Sequence, residues 1–156
     1  MRVVILLVLV TLFSSFGKAH SQADLRLLGS ASSTTFLAPP SSRTITYTVM
    51  NTSPALTAQS VVVRVANPAA SYSISLDPAF AGNSNWTAST SGNFVLFTYT
   101  GNAGVIAASS NIQLQVIVNR VPPAGGAEFA VSASVTQSVS ETNPYDNTWQ
   151  NRFTSQ

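Results

Sequence analysis

The stretch TITYTVMN, residues 44–51, alternates threonine with a larger and mostly apolar residue over its first six positions. Successive side chains of a β-strand point to opposite faces, so this alternation is typical of a strand with one buried face. Ile45, Tyr47 and Val49 are predicted to face a core, and the threonines between them to face water. The same period of two recurs along the chain, which makes a β-rich fold the first prediction.

Seven further segments carry strand signals. Residues 93–100 are apolar on both faces, which predicts a strand inside a sheet. The other segments alternate or are short terminal candidates, at residues 24–28, 60–67, 71–76, 111–119, 127–139 and 148–154. Clusters of Asn, Pro and Gly separate the segments, and only residues 105–109 are compatible with a single helical turn. We therefore expect an all-β sandwich of about seven to nine antiparallel strands.

The first 23 residues have the layout of a secretory signal peptide. A positive start at Arg2 precedes an apolar run, and a region of small residues ends at Ala23. Small side chains at the −3 and −1 positions allow cleavage before Gln22 or before Asp24, and the sequence leaves both sites open. The apolar run is shorter than the roughly 20 residues that a membrane-spanning helix needs. A membrane anchor and a core strand are the alternatives to a cleaved signal.

Cleavage would leave residues 24–156 as a single sandwich domain. We expect that domain to be exported to the periplasm, the cell surface or the medium, with no attachment to the membrane. The chain contains no cysteine, so its stability must come from the core and from strand pairing rather than from disulfides.

The charge balance argues against a nucleic-acid partner. The chain has seven Lys and Arg residues and five Asp and Glu residues, but Arg2 and Lys18 lie in the predicted signal. Five arginines and five acids remain, scattered along the domain. Nucleic-acid binding needs a basic stripe, and this composition does not supply one.

The residue inventory also argues against catalysis. Beyond the predicted signal, which contains His20, the chain has no His, Cys or Lys. Ser-His-Asp triads, thiolate nucleophiles, Schiff bases and zinc sites of the Cys/His kind cannot be built from what remains. The five carboxylates show no spacing that would pair two of them across a cleft. We predict a non-enzymatic protein with no catalytic residues, no cofactor and no assigned metal site.

Two loop features leave alternatives open. The segment 141–147 places Glu141, Asp146 and two amides close together, and oxygen ligands of this kind can hold calcium. Its spacing is not that of an EF-hand, and the alternative is an Asx-type turn on Asn143 or Asp146. Asn51 and Asn85 are formal acceptors for glycosylation.

Four aromatic residues lie in or beside predicted loops, where they either close the core or form a recognition surface: Phe80, Trp86, Tyr145 and Trp149. A carbohydrate-binding module that uses Trp86 or Trp149 as a platform is the alternative function. Arg64 is predicted to point outward from its strand, and either Arg64 or the several prolines are expected to guard the sheet edges against pairing with other chains.

The order of several segments resembles the domain-of-unknown-function-eleven repeat of bacterial and archaeal surface proteins. The matching features are Ala23-Asp24-Leu25, the strand at residues 44–51, the Ser53-Pro54 turn, the valines at 61–63, the strands at 112–118 and 130–136, and Asn143-Pro144 with Asp146-Asn147. The resemblance covers nearly all of residues 23–154. It implies an immunoglobulin-like antiparallel sandwich of exported or surface-attached proteins, often in tandem stalks, and it brings no catalytic residues.

These observations favour an exported structural or protein-interaction domain at the bacterial envelope or surface, of the adhesion or assembly type. The expected partner is another protein, which the sequence does not identify. A single copy of the repeat favours partner binding over a stalk. The sequence gives no oligomeric state.

Overall fold

A computed structural model describes residues 23–37, 40–67, 72–120, 128–138, 141 and 143–155. Of the predicted signal peptide, only Ala23 lies within these ranges. The helical segments of the described chain are three 3₁₀ turns: Ala81–Asn85, Gly101–Gly104 and Pro144–Asp146. None of the described residues forms a helix long and apolar enough to cross a membrane.

Strands make up most of the described chain. They are β1 (Leu25–Ala31), β2 (Thr35–Phe36), β3 (Ser41–Asn51), β4 (Ala58–Gln59), β5 (Val62–Ala66), β6 (Tyr72–Leu76), β7 (Trp86–Ser91), β8 (Phe94–Tyr99), β9 (Val105–Ile106), β10 (Asn111–Arg120), β11 (Phe129–Thr136) and β12 (Thr148–Ser155). Each of the eight predicted segments contains or overlaps one of them.

Two sheets form the layers of the fold. The four-stranded sheet has the order β1-β3-β10-β6, and the six-stranded sheet has the order β2-β12-β11-β5-β8-β7. Strands β4 and β9 form a small separate ladder. The pairings are antiparallel except for β2 with β12, which is parallel. The prediction of an all-β, immunoglobulin-like sandwich is confirmed.

The core lies between the inner faces of the two sheets. Ile45, Tyr47 and Val49 are fully buried, as the alternation in β3 predicts, and so are Val63 and Val65 of β5. Because period-two strands place every second residue on the same face, the intervening residues of both strands lie on the outer face and are partly or fully exposed. The sequence pattern therefore assigns the buried face of both strands correctly.

Strand β7 is not among the strands that the sequence pattern predicts. Its residues Trp-Thr-Ala-Ser-Thr-Ser lack an apolar alternation, and all of them after Trp86 are exposed. Gly92, with φ +56, begins the two-residue turn that joins β7 to β8, a conformation that suits glycine at the first position of a hairpin loop. Since β7 lies outside β8, β8 is flanked on both sides, in agreement with its apolar character.

One possibility that the sequence leaves open is not realised, and one expectation is wrong. Residues 105–109 do not form a helical turn, because Val105–Ile106 pair with β4. Arg64 points outward as predicted, but it lies on β5, between β11 and β8, and so cannot guard a sheet edge.

Candidate interaction surface

The outer face of the six-stranded sheet carries Arg64 near its middle. Arg64 is exposed, and its neighbours across the strands are Ser134 of β11 on one side and Leu96 of β8 on the other. Its guanidinium carbon lies 3.4 Å from the centroid of the Phe94 ring. A cation over an aromatic face is attracted by the ring quadrupole, so Phe94 holds the arginine head group in place while leaving it accessible.

Small and hydroxyl-bearing side chains surround this pair. A shallow groove runs across β5, β8, β11 and β12 and is lined by Arg64, Ala66, Phe94, Ser132, Ser134, Thr148 and Gln150, among others. Ser132 lies two residues before Ser134 on β11, so the two serines share the same face of the strand. The groove thus offers hydroxyl donors and acceptors beside a fixed guanidinium.

The six strands of this sheet contain no Asp or Glu residue, although they contain Arg64 and Arg152. Arg152 is exposed on β12, and Gln150 and Arg152 share one face of that strand because they are two residues apart. The charged residues within these six strands are therefore both arginines, even though the predicted mature domain is near neutral. A complementary partner would present carboxylates.

Most of the aromatic residues that the sequence suggests for sugar stacking are buried or partly buried in the fold. Trp86 is only 4% exposed, and its indole N–H donates to the Gln113 carbonyl at 2.9 Å. Its ring also packs against Tyr99, with the centroids 5.2 Å apart. Trp86 therefore cannot serve as a carbohydrate platform, and that part of the alternative function is wrong.

Trp149 is half-buried and turned toward the other sheet. Its ring meets the fully buried Tyr47 edge-to-face at 5.3 Å and lies against Gly29 of β1. The ring closes the core rather than standing free at the surface. Phe80 is partly buried as well, with its ring against Gly82, whereas Tyr145 is 90% exposed.

Residues 143–146 form the Asx-type turn that was the alternative to a calcium loop. The Asn143 side chain accepts the backbone N–H of Tyr145 at 3.4 Å, at the start of the 3₁₀ turn Pro144–Asp146. Asp24 fastens this turn, because its Oδ1 accepts the Asn143 N–H at 3.1 Å and its Oδ2 accepts the Thr52 hydroxyl at 2.6 Å. No group of three Asp, Glu, His or Cys side chains in the described ranges could hold a metal ion, and we do not propose calcium binding here.

Glu141 is the titratable group with an unusual environment in this loop. Burial raises its pKa from the ordinary 4.5 to about 7, the Leu25 amide opposes this rise, and the negative charges of Asp24 and Asp146 add to it. The Asn147 amide donates to the Glu141 carboxylate. These contacts tie the loop to β1, and they give the domain a carboxyl group that titrates near neutral pH.

Of the two formal glycosylation acceptors, Asn51 is excluded by its position in the fold. It is 2% exposed, and its amide donates to the carbonyls of Leu56, Ile106 and Ala107 at 2.7, 3.3 and 3.1 Å. A side chain so enclosed cannot carry a glycan in the folded domain. Asn85 is exposed at the end of the 3₁₀ turn before β7.

No protein-family model matches the sequence, and no curated protein matches it either. The N-terminal domain of the Streptococcus gordonii adhesin Sgo0707 is a structural neighbour with a TM-score of 0.52 and 12% identity, over 84% of this chain and 32% of that one. A variant of BcpA, the major pilin subunit of Bacillus cereus, has a TM-score of 0.50 and 11% identity, over 86% of this chain and 40% of that one.

The full-length major pilin SpaD of Corynebacterium diphtheriae gives a TM-score of 0.50 and 15% identity, over 83% of this chain and 34% of that one. This chain thus spans well under two thirds of the length of each of these structures. Identities this low show a shared fold alone, and a shared fold does not fix function.

Proposed function

We propose that this protein is an exported, non-enzymatic domain of the bacterial cell surface that binds another protein, in a structural or adhesive role. The observation that carries the proposal is the outer face of the six-stranded sheet, whose strands contain no acidic residue and where the Arg64 guanidinium lies over the Phe94 ring near the middle. Arginine and aromatic side chains are enriched among the residues that dominate protein interfaces. The partner surface is one that presents Asp or Glu side chains to this face.

Other features support the proposal. The sequence begins with a signal-peptide pattern, the predicted mature domain lacks His, Cys and Lys, and pilin and adhesin domains are among the structures that share the fold. The proposed membership of the domain-of-unknown-function-eleven family agrees with a surface location. A carbohydrate-binding function is not proposed, since both indoles pack against the core.

A site-specific cross-linking experiment tests the proposal. A photoreactive amino acid is placed at Gln150, which is exposed on the outer face, and separately at Ser73, which is exposed on β6 of the other sheet. Each variant is expressed in the native bacterium, followed by fractionation and identification of the adducts. We expect the adduct in the surface or envelope fraction and only from position 150.

Charge reversal then tests the role of Arg64. Arg64→Glu should abolish the adduct, whereas Arg26→Glu, the same change at an exposed position on β1, should leave it intact. Equal adducts from positions 150 and 73, or an adduct indifferent to Arg64→Glu, would refute a partner on this face. Retention of the protein in the cytoplasm would refute export.

A further inference from the structure

Among the described residues, no strand pairs with the outer edge of β7 in the six-stranded sheet. Strand β7 is the last strand of the sheet, and its ladder partner is β8. The preceding 3₁₀ turn covers the beginning of β7, where the Trp86 N–H donates to the Asn83 carbonyl. The part from Thr87 to Ser91 is exposed on both faces.

The phase of the ladder identifies which backbone groups point away from β8. The Thr100 N–H donates to the Asn85 carbonyl at 2.8 Å, one position beyond the register pair Trp86–Tyr99. Hydrogen-bonded and non-hydrogen-bonded pairs alternate along an antiparallel ladder. Odd-numbered residues of β7 therefore bond to β8, and Ala88 and Thr90 direct their N–H and C=O groups to the open side. The outward N–H of Trp86, which reaches Asn83 instead, agrees with this phase.

The edge has none of the devices that usually prevent strand addition. Lysine, inward charges, proline and bulges are the common ones, and residues 86–91 contain no charged residue and no proline. The pairing of β7 with β8 is also uninterrupted over six consecutive positions. The opposite edge of the same sheet differs, because β2 has only two residues and the Arg43 side chain covers it by donating to the Thr35 carbonyl at 2.7 Å.

We propose that β7 pairs antiparallel with β7 of a second copy of this chain, about a two-fold axis at Ser89, so that two six-stranded sheets join into one. In this register Ala88 of each copy faces Thr90 of the other. The backbone N–H and C=O groups of these residues, which point away from β8, therefore lie opposite one another. Each such pair exchanges two N–H···O bonds, and Thr87 faces Ser91. This pairing does not rest on the partner proposed for the Arg64 face.

A second copy fits this edge because the arrangement is self-complementary. A two-fold interface brings the same patch of each subunit together, so any charge on the axis would meet its own copy. Ser89 lies on that axis and is neutral, as are its neighbours in β7. The predicted mature domain carries five arginines and five acids, so two copies do not repel each other through net charge.

Sedimentation analysis of the purified protein, over a range of concentrations and at low salt, tests the pairing. We expect a monomer–dimer equilibrium. Ser89→Glu and Ser89→Lys should each raise the dissociation constant at least about tenfold, since like charges then lie directly opposite. An equimolar mixture of the two variants should restore the dimer, because Glu and Lys then face each other across the axis.

Two further variants provide controls. Ala88→Pro removes an outward N–H without removing a bond to β8, so it should abolish the dimer while the monomer remains folded. Ser73→Glu places the same charge at an exposed position of β6, the edge strand of the other sheet, and should leave the dimer unchanged. Circular dichroism verifies the fold of every variant.

Three outcomes would overturn the proposal. The first is a wild-type protein that is monomeric at millimolar concentration. The second is a dimer that tolerates both Ser89 variants, or one that the mixture does not restore. The third is a monomer whose Ala88 and Thr90 amides become protected from hydrogen exchange only when envelope extract is added, which would assign the edge to a strand of another protein.

Discussion

The guanidinium of Arg64 lies 3.4 Å from the centroid of the Phe94 ring, on neighbouring strands of the six-stranded sheet. At an exposed site such a contact contributes about 0.5–1 kcal/mol. We predict that a double-mutant cycle with Arg64→Ala and Phe94→Leu, measured by urea unfolding, gives a coupling energy of this size. The matched cycle of Arg26→Ala with Phe94→Leu should be additive, and a zero coupling for Arg64 would show that the contact does not order the arginine.

Gly29 lies beneath the Trp149 ring. A Cβ at this position would come within 2.5 Å of the ring atom Cε2, and Gly29 is also the register partner of Tyr47. We predict that Gly29→Ala lowers the free energy of unfolding by about 1–3 kcal/mol, because the ring must move out of a packed position.

The Gly29 prediction is checked by thermal or urea unfolding in two backgrounds. In a Trp149→Leu background the smaller side chain leaves room for the new methyl group, so the cost of Gly29→Ala should fall. An equal cost in both backgrounds would assign the effect to the β1 backbone rather than to the ring.

Tyr47 is fully buried, and its hydroxyl has no hydrogen-bond partner among the described residues. Burial also raises the pKa of this phenol. An unsatisfied buried polar group costs about 1–3 kcal/mol, and phenylalanine keeps the ring that contacts Trp149. We predict that Tyr47→Phe raises the free energy of unfolding by about 1 kcal/mol. A clear loss of stability in urea would mean that the hydroxyl is bonded in solution.

Glu141 makes stability depend on pH. Its folded pKa, about 7, lies above the ordinary 4.5, so the folded protein binds more protons than the unfolded chain between these values. The stabilisation is fully present below pH 4.5 and is lost as the pH rises through 7. Because the side chain is only half-buried, solvent screening limits the effect to about 1 kcal/mol.

Urea unfolding at a series of pH values measures this dependence. We predict that Glu141→Gln removes the fall in stability between pH 4.5 and 7. Glu128→Gln, the same change at an exposed glutamate, should retain the slope of the wild type. A slope that survives Glu141→Gln would assign the pH dependence to another group.

The sequence pattern predicts the strands that bury one face, because burial forces an alternation that can be read from residue type alone. Ile45, Tyr47 and Val49 show how directly that works. The same logic misses β7, since a strand exposed on both faces needs no apolar residues. Yet β7 is the strand that forms the unpaired edge of the six-stranded sheet in the described chain.

The candidate surface could be predicted only in part. The outward direction of Arg64 follows from its place between Val63 and Val65. Its position inside the sheet, and its contact with Phe94, depend on the strand order, and alternation within one strand carries no information about its neighbours. For the same reason the sequence suggests Trp86 and Trp149 as exposed stacking platforms, because proximity to a loop does not reveal that each ring packs toward the core.

The parallel pairing of β2 with β12 has a mechanical consequence. Thr154 donates its N–H to the Thr34 carbonyl at 2.9 Å, and Thr35 faces Thr154 in the register. Tension that pulls the N-terminal side of β2 and the C-terminal end of β12 apart acts along these parallel strands, so the bonds between them are sheared together instead of being unzipped one at a time. The two-residue pairing of β2 with β12 is thus loaded in shear whenever these two strand ends are pulled apart.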